Sequence, residues 1–245
     1  MNRSMRTLAS LGLMVGIGTA LVLTTEIASA QYVAPSGHNG PTTPDHDLWN
    51  GRIGLGWFGS RVIPFGAPTF AGLTTPLVGV RYWINPMVGN DGAVGFMTHS
   101  GSHTQTAAGG TSQDTTDPSA TSFALHLGIP VAIFNMTHYS FQITPELDFG
   151  LGTGSNNLAA PAVSTDYSGL LFQVGARAGA EIYFGFIGLP QLAVDASVGL
   201  FLAAGSHKET TGNASTKAST LDIGTAQFNS PWDIFRENIA ARYYF

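Results

Sequence analysis

Three of the seven histidines, His99, His103 and His126, are the side chains whose type and spacing best suit chemistry. Imidazole nitrogens ligate zinc and other transition metals. His99 and His103 share a face of a predicted strand over 92–103, and His126 lies on the polar face of a predicted strand over 121–134. Symmetric closure of the 104–120 segment would bring His99 beside His126, which makes the three a weak metal candidate. The plainer expectation is three separate side chains, with no metal and no cofactor. Nucleophilic catalysis fares no better. In His99-Ser100 and Ser102-His103 the two side chains are adjacent in sequence, so a strand sends them to opposite faces. The next position on the His126 face is Gly128. With no Cys in the chain there is no disulfide, thiolate site, Cys nucleophile or lipid-modified Cys. The expectation is a protein that is not an enzyme.

The second chemistry available is ion pairing in an enclosed space. Only 10% of the 245 residues are charged, against roughly 25% in ordinary soluble proteins. A formal charge of −5 and a pI near 5.7 argue against nucleic acid as a partner. Nine of the few charged groups, Arg52, Arg81, Glu146, Asp148, Arg177, Glu181, Asp195, Arg236 and Arg242, fall on the polar faces of predicted strands. Their neighbours on those faces are mostly Gly, Ala, Ser and Gln, and the strands carry no Lys. Five arginines and four carboxylates among small residues suit a narrow lumen of mutually neutralising pairs, not a solvated surface.

Eight predicted strands hold these groups: 48–59, 75–85, 92–103, 121–134, 141–152, 168–184, 191–205 and 232–245. The alternation is clearest in 168–184. Leu170, Phe172, Val174, Ala176, Ala178, Ala180, Ile182 and Phe184 oppose Leu171, Gln173, Gly175, Arg177, Gly179, Glu181 and Tyr183. Several strands exceed the usual 5–6 residues and approach the ~9–11 needed to cross a bilayer at a tilt. Pro130 and Pro145 interrupt their strands and are expected to mark bulges or bends. Glu237 is a misfit, because it shares the apolar parity of the last strand. Short connections near 86, 136 and 187 alternate with long ones over 60–74, 104–120, 153–167 and 206–231. Such sorting puts short turns at one end of a sheet and long loops at the other, as in outer-membrane barrels. Trp49, Trp57, Trp83 and Trp232 lie near predicted strand ends, where aromatics favour a membrane–water interface.

Residues 1–30 read as a secretory signal peptide, with Arg3 and Arg6, an uncharged run from Leu8 to Leu23, and an Ala28-Ser29-Ala30 cleavage end. Residues 31–47 read as a flexible lead-in, in which His38, Asp45, His46 and Asp47 are solvated. No later run supplies about 20 apolar residues, so the exported chain is either soluble or crosses a membrane with strands.

The chain ends in Ile239-Ala240-Ala241-Arg242-Tyr243-Tyr244-Phe245. Ile239, Ala241, Tyr243 and Phe245 share one face, and this resembles the terminal-strand signal of bacterial outer-membrane proteins. With the signal peptide and eight strands, residues 48–245 resemble the small outer-membrane barrels, such as the transmembrane domain of outer-membrane protein A and outer-membrane proteins X and W. The resemblance implies an all-β, closed, antiparallel, eight-stranded up-and-down transmembrane barrel in the cell outer membrane. It also implies recognition by the barrel assembly machinery and contact with outer-membrane lipid and lipopolysaccharide. The expected role is structural, or interactive through external loops toward an unidentified ligand. The alternatives are a small passive pore for small or hydrophobic solutes and, behind it, an enzyme acting on lipid A.

Overall fold

The computed structural model describes residues 43–67, 70–106, 110, 112–116, 119–156, 164–225 and 239–245. The predicted signal peptide and most of the lead-in lie outside them. The described part is all-β and antiparallel, with strands β1 (Ile53–Ala67), β2 (Phe70–Trp83), β3 (Gly89–His99), β4 (Ser102–Thr106), β5 (Ser112–Thr116) and β6 (Ser119–Gly128). There follow β7 (Val131–Asn135), β8 (Tyr139–Asn156), β9 (Thr165–Phe184), β10 (Leu189–Thr211), β11 (Ala214–Gly224) and β12 (Ile239–Tyr244). Two short 3-10 turns, Asp45–Trp49 and Gly185–Ile187, complete the set.

Pairing runs β1-β2-β3-β6-β8-β9-β10-β12, and β12 pairs with β1, in a barrel-like ring of eight strands that is not evenly round. The β9–β10 ladder extends from Leu189–Phe184 to Thr211–Thr165, whereas the β1–β12 ladder covers only Gly54–Tyr244 to Trp57–Ala241. The alternation of side chains places apolar residues outside. Phe96 and Val198 are 64% and 62% exposed, in the company of Val78, Val94, Phe123 and Leu200. Polar and charged residues face inward, where Glu181 is 0% and Arg81 2% exposed. The polarity of an ordinary globule is thus inverted.

Several strands run longer than their sequence pattern predicts. The expected 60–74 loop is strand: β1 and β2 continue until only 68–69 separate them. The expected 206–231 loop is largely an extension of β10 that returns as β11. Within 104–120, β4 and β5 form their own two-stranded hairpin. The predicted strand 121–134 is divided into β6 and β7 because Pro130, between them, has no N–H to donate. Pro145 instead stays within β8, opposite Ala176. The connections 84–88, 136–138 and 185–188 are short as expected and form one end of the ring, the turn end. Connections at the other end are unequal, so the strict short/long alternation does not hold.

The upper part of the β1–β2 hairpin bends into the ring. The β1–β2 register shifts between Trp57 and Ser60, where Gly59 adopts φ 82°. Such a bulge, opened by a residue free to take positive φ, kinks the strand and reverses which parity faces in. Phe58 faces in before the bulge, and Arg61, Ile63 and Phe65 after it. Ile63 and Phe65 pack with Leu73, Ala120, Tyr167, Leu171 and Ala203, contributed by β2, β6, β9 and β10. This cluster fills the interior at the hairpin end. Gly169 on β9 permits the approach, since a Cβ there would strike the Pro64 carbonyl.

The opposite mouth is filled by the lead-in. Asp45, His46 and Asp47, expected to be solvated, and Trp49, expected to open the first strand, instead form a docked turn: the Asp45 N–H donates to the Thr137 carbonyl, and Trp49 stacks on Tyr244 with centroids 5.4 Å apart. Trp49, Trp83, Tyr183 and Tyr244 form an aromatic cluster inside the turn end. The predicted assembly-signal residues lie on and just after β12, with Tyr243 and Phe245 exposed and Ile239 and Ala241 half-buried.

Candidate functional site

Between the aromatic cluster and the hairpin cluster lies a layer of charge. Its centre toward the turn end is Glu181 on β9. Oε2 accepts from Arg81 Nη1 at 3.0 Å, Gln142 Nε2 at 2.7 Å and Tyr183 Oη at 3.0 Å. Oε1 accepts from Arg242 Nη1 at 3.0 Å and Tyr244 Oη at 2.8 Å. Arg81 also grips Asp91 with two bonds, Nε to Oδ1 at 2.7 Å and Nη2 to Oδ2 at 2.6 Å. A planar guanidinium matches a carboxylate edge in this way, which a lysine cannot do. Arg242 lies over the Phe58 ring at 4.7 Å and approaches Asp195 to 3.8 Å.

The second half of the layer sits nearer the hairpin. Arg177 binds Glu146 through Nε at 2.7 Å and Nη2 at 2.8 Å. Arg61 reaches from the kinked part of β1 to Asp148, with Nε at 2.8 Å from Oδ1, and to Glu146, with Nη2 at 3.7 Å. His126 is cross-strand partner of Asp148, and its Nδ1 lies 2.8 Å from Oδ1. Among the described residues, four arginines face five carboxylates in this layer, and one imidazole stands among them. The space left between these side chains is a cavity of about 30 Å³, bounded by Arg81, Glu146, Arg177, Asp195 and Arg242 among others. That is more than the ~10–15 Å³ that a single water molecule needs.

Of the nine charged residues singled out from sequence, the structure brings seven together: Arg81, Glu146, Asp148, Arg177, Glu181, Asp195 and Arg242. Arg52 is instead exposed just before β1. The strand begins later than predicted, and Arg52 lies at the turn formed by Trp49–Gly51. Arg236 lies outside the described residues. Two members of the layer were not anticipated. Asp91 precedes the predicted start of its strand by one residue, although it has the parity of the inward Ala93. Arg61 falls in the 60–74 segment, which its sequence pattern marks as a loop.

The histidines separate. The β3–β6 register pairs His126 with Ala93 and His99 with Ala120, six residues apart along the ladder or ~20 Å at ~3.3 Å per residue. His99 is exposed, and the backbone of His103 belongs to β4, in the other sheet. The juxtaposition of His99 with His126 therefore fails because β4 and β5 form a separate hairpin. His126 does have carboxylate company in Glu146 and Asp148, whose ligand atoms lie within 4.8 Å of one another and of the imidazole. Guanidinium groups of Arg61 and Arg177 already engage both carboxylates, and two fixed positive charges oppose the entry of a metal cation.

The docked lead-in adds a polar cluster at the mouth. His46 Nε2 donates to the Pro86 carbonyl at 2.9 Å, and Nδ1 meets Tyr183 Oη at 2.9 Å. Burial pushes the His46 imidazole below its ordinary pKa, outweighing the Pro86 hydrogen bond and nearby Glu181. Asp45 Oδ2 lies 2.8 Å from His138 Nδ1.

No family model matches this sequence, and no curated protein matches it. Among solved structures it is similar to a major outer membrane protein from Thermus thermophilus, at 13% identity and a TM-score of 0.39. The match covers 79% of this chain and 98% of that one.

Proposed function

We propose that this chain is an integral outer-membrane protein, a closed eight-stranded barrel whose filled lumen makes it a rigid scaffold, not a pore. The single observation that carries the reading is the inversion of its faces: large apolar side chains outside, charged pairs inside. Water around such a surface would leave a continuous exposed apolar band, whereas a bilayer buries it. Strand pairing that continues around the ring, down to the short β1–β12 ladder, supports the reading, because strands in hydrocarbon must pair.

Three fillings follow one another along the interior: the apolar hairpin, the ionic layer and the aromatic mouth with its docked lead-in. Together they favour a structural or surface-interaction role over passage of solutes, with the hairpins β4–β5 and β10–β11 offered to the outside. We propose no catalytic activity. His126 is the histidine with a carboxylate partner in the ionic layer, and it is buried where a lipid substrate does not reach.

The test is heat-modifiable gel migration of the protein from an outer-membrane fraction, followed by conductance in planar bilayers. The expected results are a migration shift on boiling and no opening above background. A protein that stays soluble without detergent would overturn the barrel, and steady unitary conductance would overturn the filled lumen.

A further inference from the structure

The three connections at the turn end have a composition unlike that of aqueous turns. Residues 84–88, 136–138 and 185–188 contain no Asp, Glu, Lys or Arg. Met87 and Ile187 at their tips are 61% and 59% exposed, and Ile84, Met136, Phe186 and Leu189 beside them are also exposed. The opposite end differs. Both lysines of the chain, Lys208 and Lys217, lie in the β10–β11 hairpin with Glu209 and Asp222, among Thr and Ser. Charge at the turn end lies at Asp45 and Asp47 on the docked segment and at the exposed Arg52 just before β1, with His138 bonded to Asp45. An uncharged apolar rim thus surrounds a polar centre.

The rim continues the outward apolar face. On β9 that face runs from Leu170 through Val174 to Ile182, and the exposed Phe186 stacks on Phe184 with centroids 5.6 Å apart. Twelve steps of ~3.3 Å at a tilt of ~45° carry Leu170–Ile182 across roughly 28 Å, about the thickness of a hydrocarbon core. The turn tips then fall within the interfacial layer, since headgroups extend a bilayer to ~40–45 Å.

We infer that this rim is a lipid-contacting surface: the turn end does not project into water but is seated in the headgroup–acyl boundary of the membrane leaflet it faces. This rests on the barrel reading above. The occupant is lipid because the rim is continuous with the proposed lipid face, spans all three connections and carries no Asp, Glu, Lys or Arg there to select a protein partner. Met, Ile and Phe at the tips add apolar contact where polar turn residues would only be hydrated.

The chain has no cysteine, so single-cysteine variants report one position each. Nitroxide labels are placed at Met87→Cys, Ile187→Cys, Val198→Cys and Lys208→Cys in the full-length protein, reconstituted in phosphatidylethanolamine–phosphatidylglycerol vesicles. The measured quantity is accessibility to oxygen relative to a water-soluble nickel chelate. At Met87 and Ile187 this ratio is expected to be several-fold above that at Lys208 and below that at Val198. Rim labels as open to the nickel chelate as Lys208, with Val198 protected, would overturn this inference and leave the barrel standing. Aqueous rim labels broadened by spin–spin coupling would likewise overturn it, in favour of a second copy of the chain. Val198 open to the chelate would defeat the barrel reading itself. Heat-modifiable migration of each variant establishes that it is folded before its label is read.

Discussion

Arg81 on β2 and Asp91 on β3 stand opposite each other in the ladder and are joined by two hydrogen bonds of 2.7 and 2.6 Å. The same guanidinium reaches Glu181, so a local strand pair and a cross-lumen pair share one cation. Asp91→Asn breaks the two-bond pair and leaves Arg81 only Glu181, a carboxylate that it shares with Arg242. The expected cost is about 3–5 kcal/mol, the range for breaking a buried pair from one side. Urea unfolding of the refolded protein in vesicles measures it, and a change no larger than that of an exposed control such as Asp222→Asn would show the pair to be dispensable.

The outward face gives a second prediction. Val174→Arg and Val198→Arg place a guanidinium in the apolar band and are expected to cost about 2–4 kcal/mol, falling toward zero for substitutions near either rim. Ser197→Arg, whose side chain belongs to the inward set, acts by crowding the cavity beside Arg242. Folded yield and unfolding midpoints in vesicles check the difference. Equal tolerance of Arg at Val174, Val198 and Thr216 would mean that the outer face is not in hydrocarbon.

The kinked hairpin depends on what it packs against. Gly169→Val puts side-chain atoms where the Pro64 carbonyl lies and should lever the hairpin out of the ring. Limited proteolysis then cuts within 60–75 at least tenfold faster than in the unmodified protein, while heat-modifiable migration persists. Unchanged cutting would show that the hairpin accommodates the branch.

Acid should loosen the mouth. The docked His46 has a lowered pKa because it is buried, so the released imidazole takes up a proton at higher pH than the docked one. Docking is unpenalised above the ordinary histidine pKa of ~6.5 and weakens as pH falls below it, levelling off beneath the lowered value. The comparison is made in His138→Gln, which takes away the imidazole bonded to Asp45. Hydrogen exchange at the Asp45 amide should be faster at pH 5 than at pH 7.5 after correction for intrinsic rates. His46→Phe should flatten that difference.

The all-β class and the direction of the faces were legible because period-two alternation is strong in β6, β8, β9 and β10. Five inward charges, on β8, β9 and β10, were legible for the same reason, and Arg81 and Arg242 from the parity of their own strands, β2 and β12. Arg61 was not: the bulge at Gly59 reverses parity, and a bulge glycine looks like any of the 31 in the chain. The length of the hairpins was hidden because Thr, Ser and Gly serve equally in loops and in hydrated strand. The docking of Asp45–Trp49 depends on Thr137, Tyr183 and Tyr244, partners about 90 or more residues away, which local composition cannot specify.

The Trp49–Tyr244 stack has a consequence for biogenesis. Trp49 precedes β1 and Tyr244 lies on β12, the strand that pairs with β1, so the stack forms only once those two strands have met. A chain whose β12 has not docked lacks one wall of this aromatic cluster, so the finished stack reports that the β1–β12 ladder has formed.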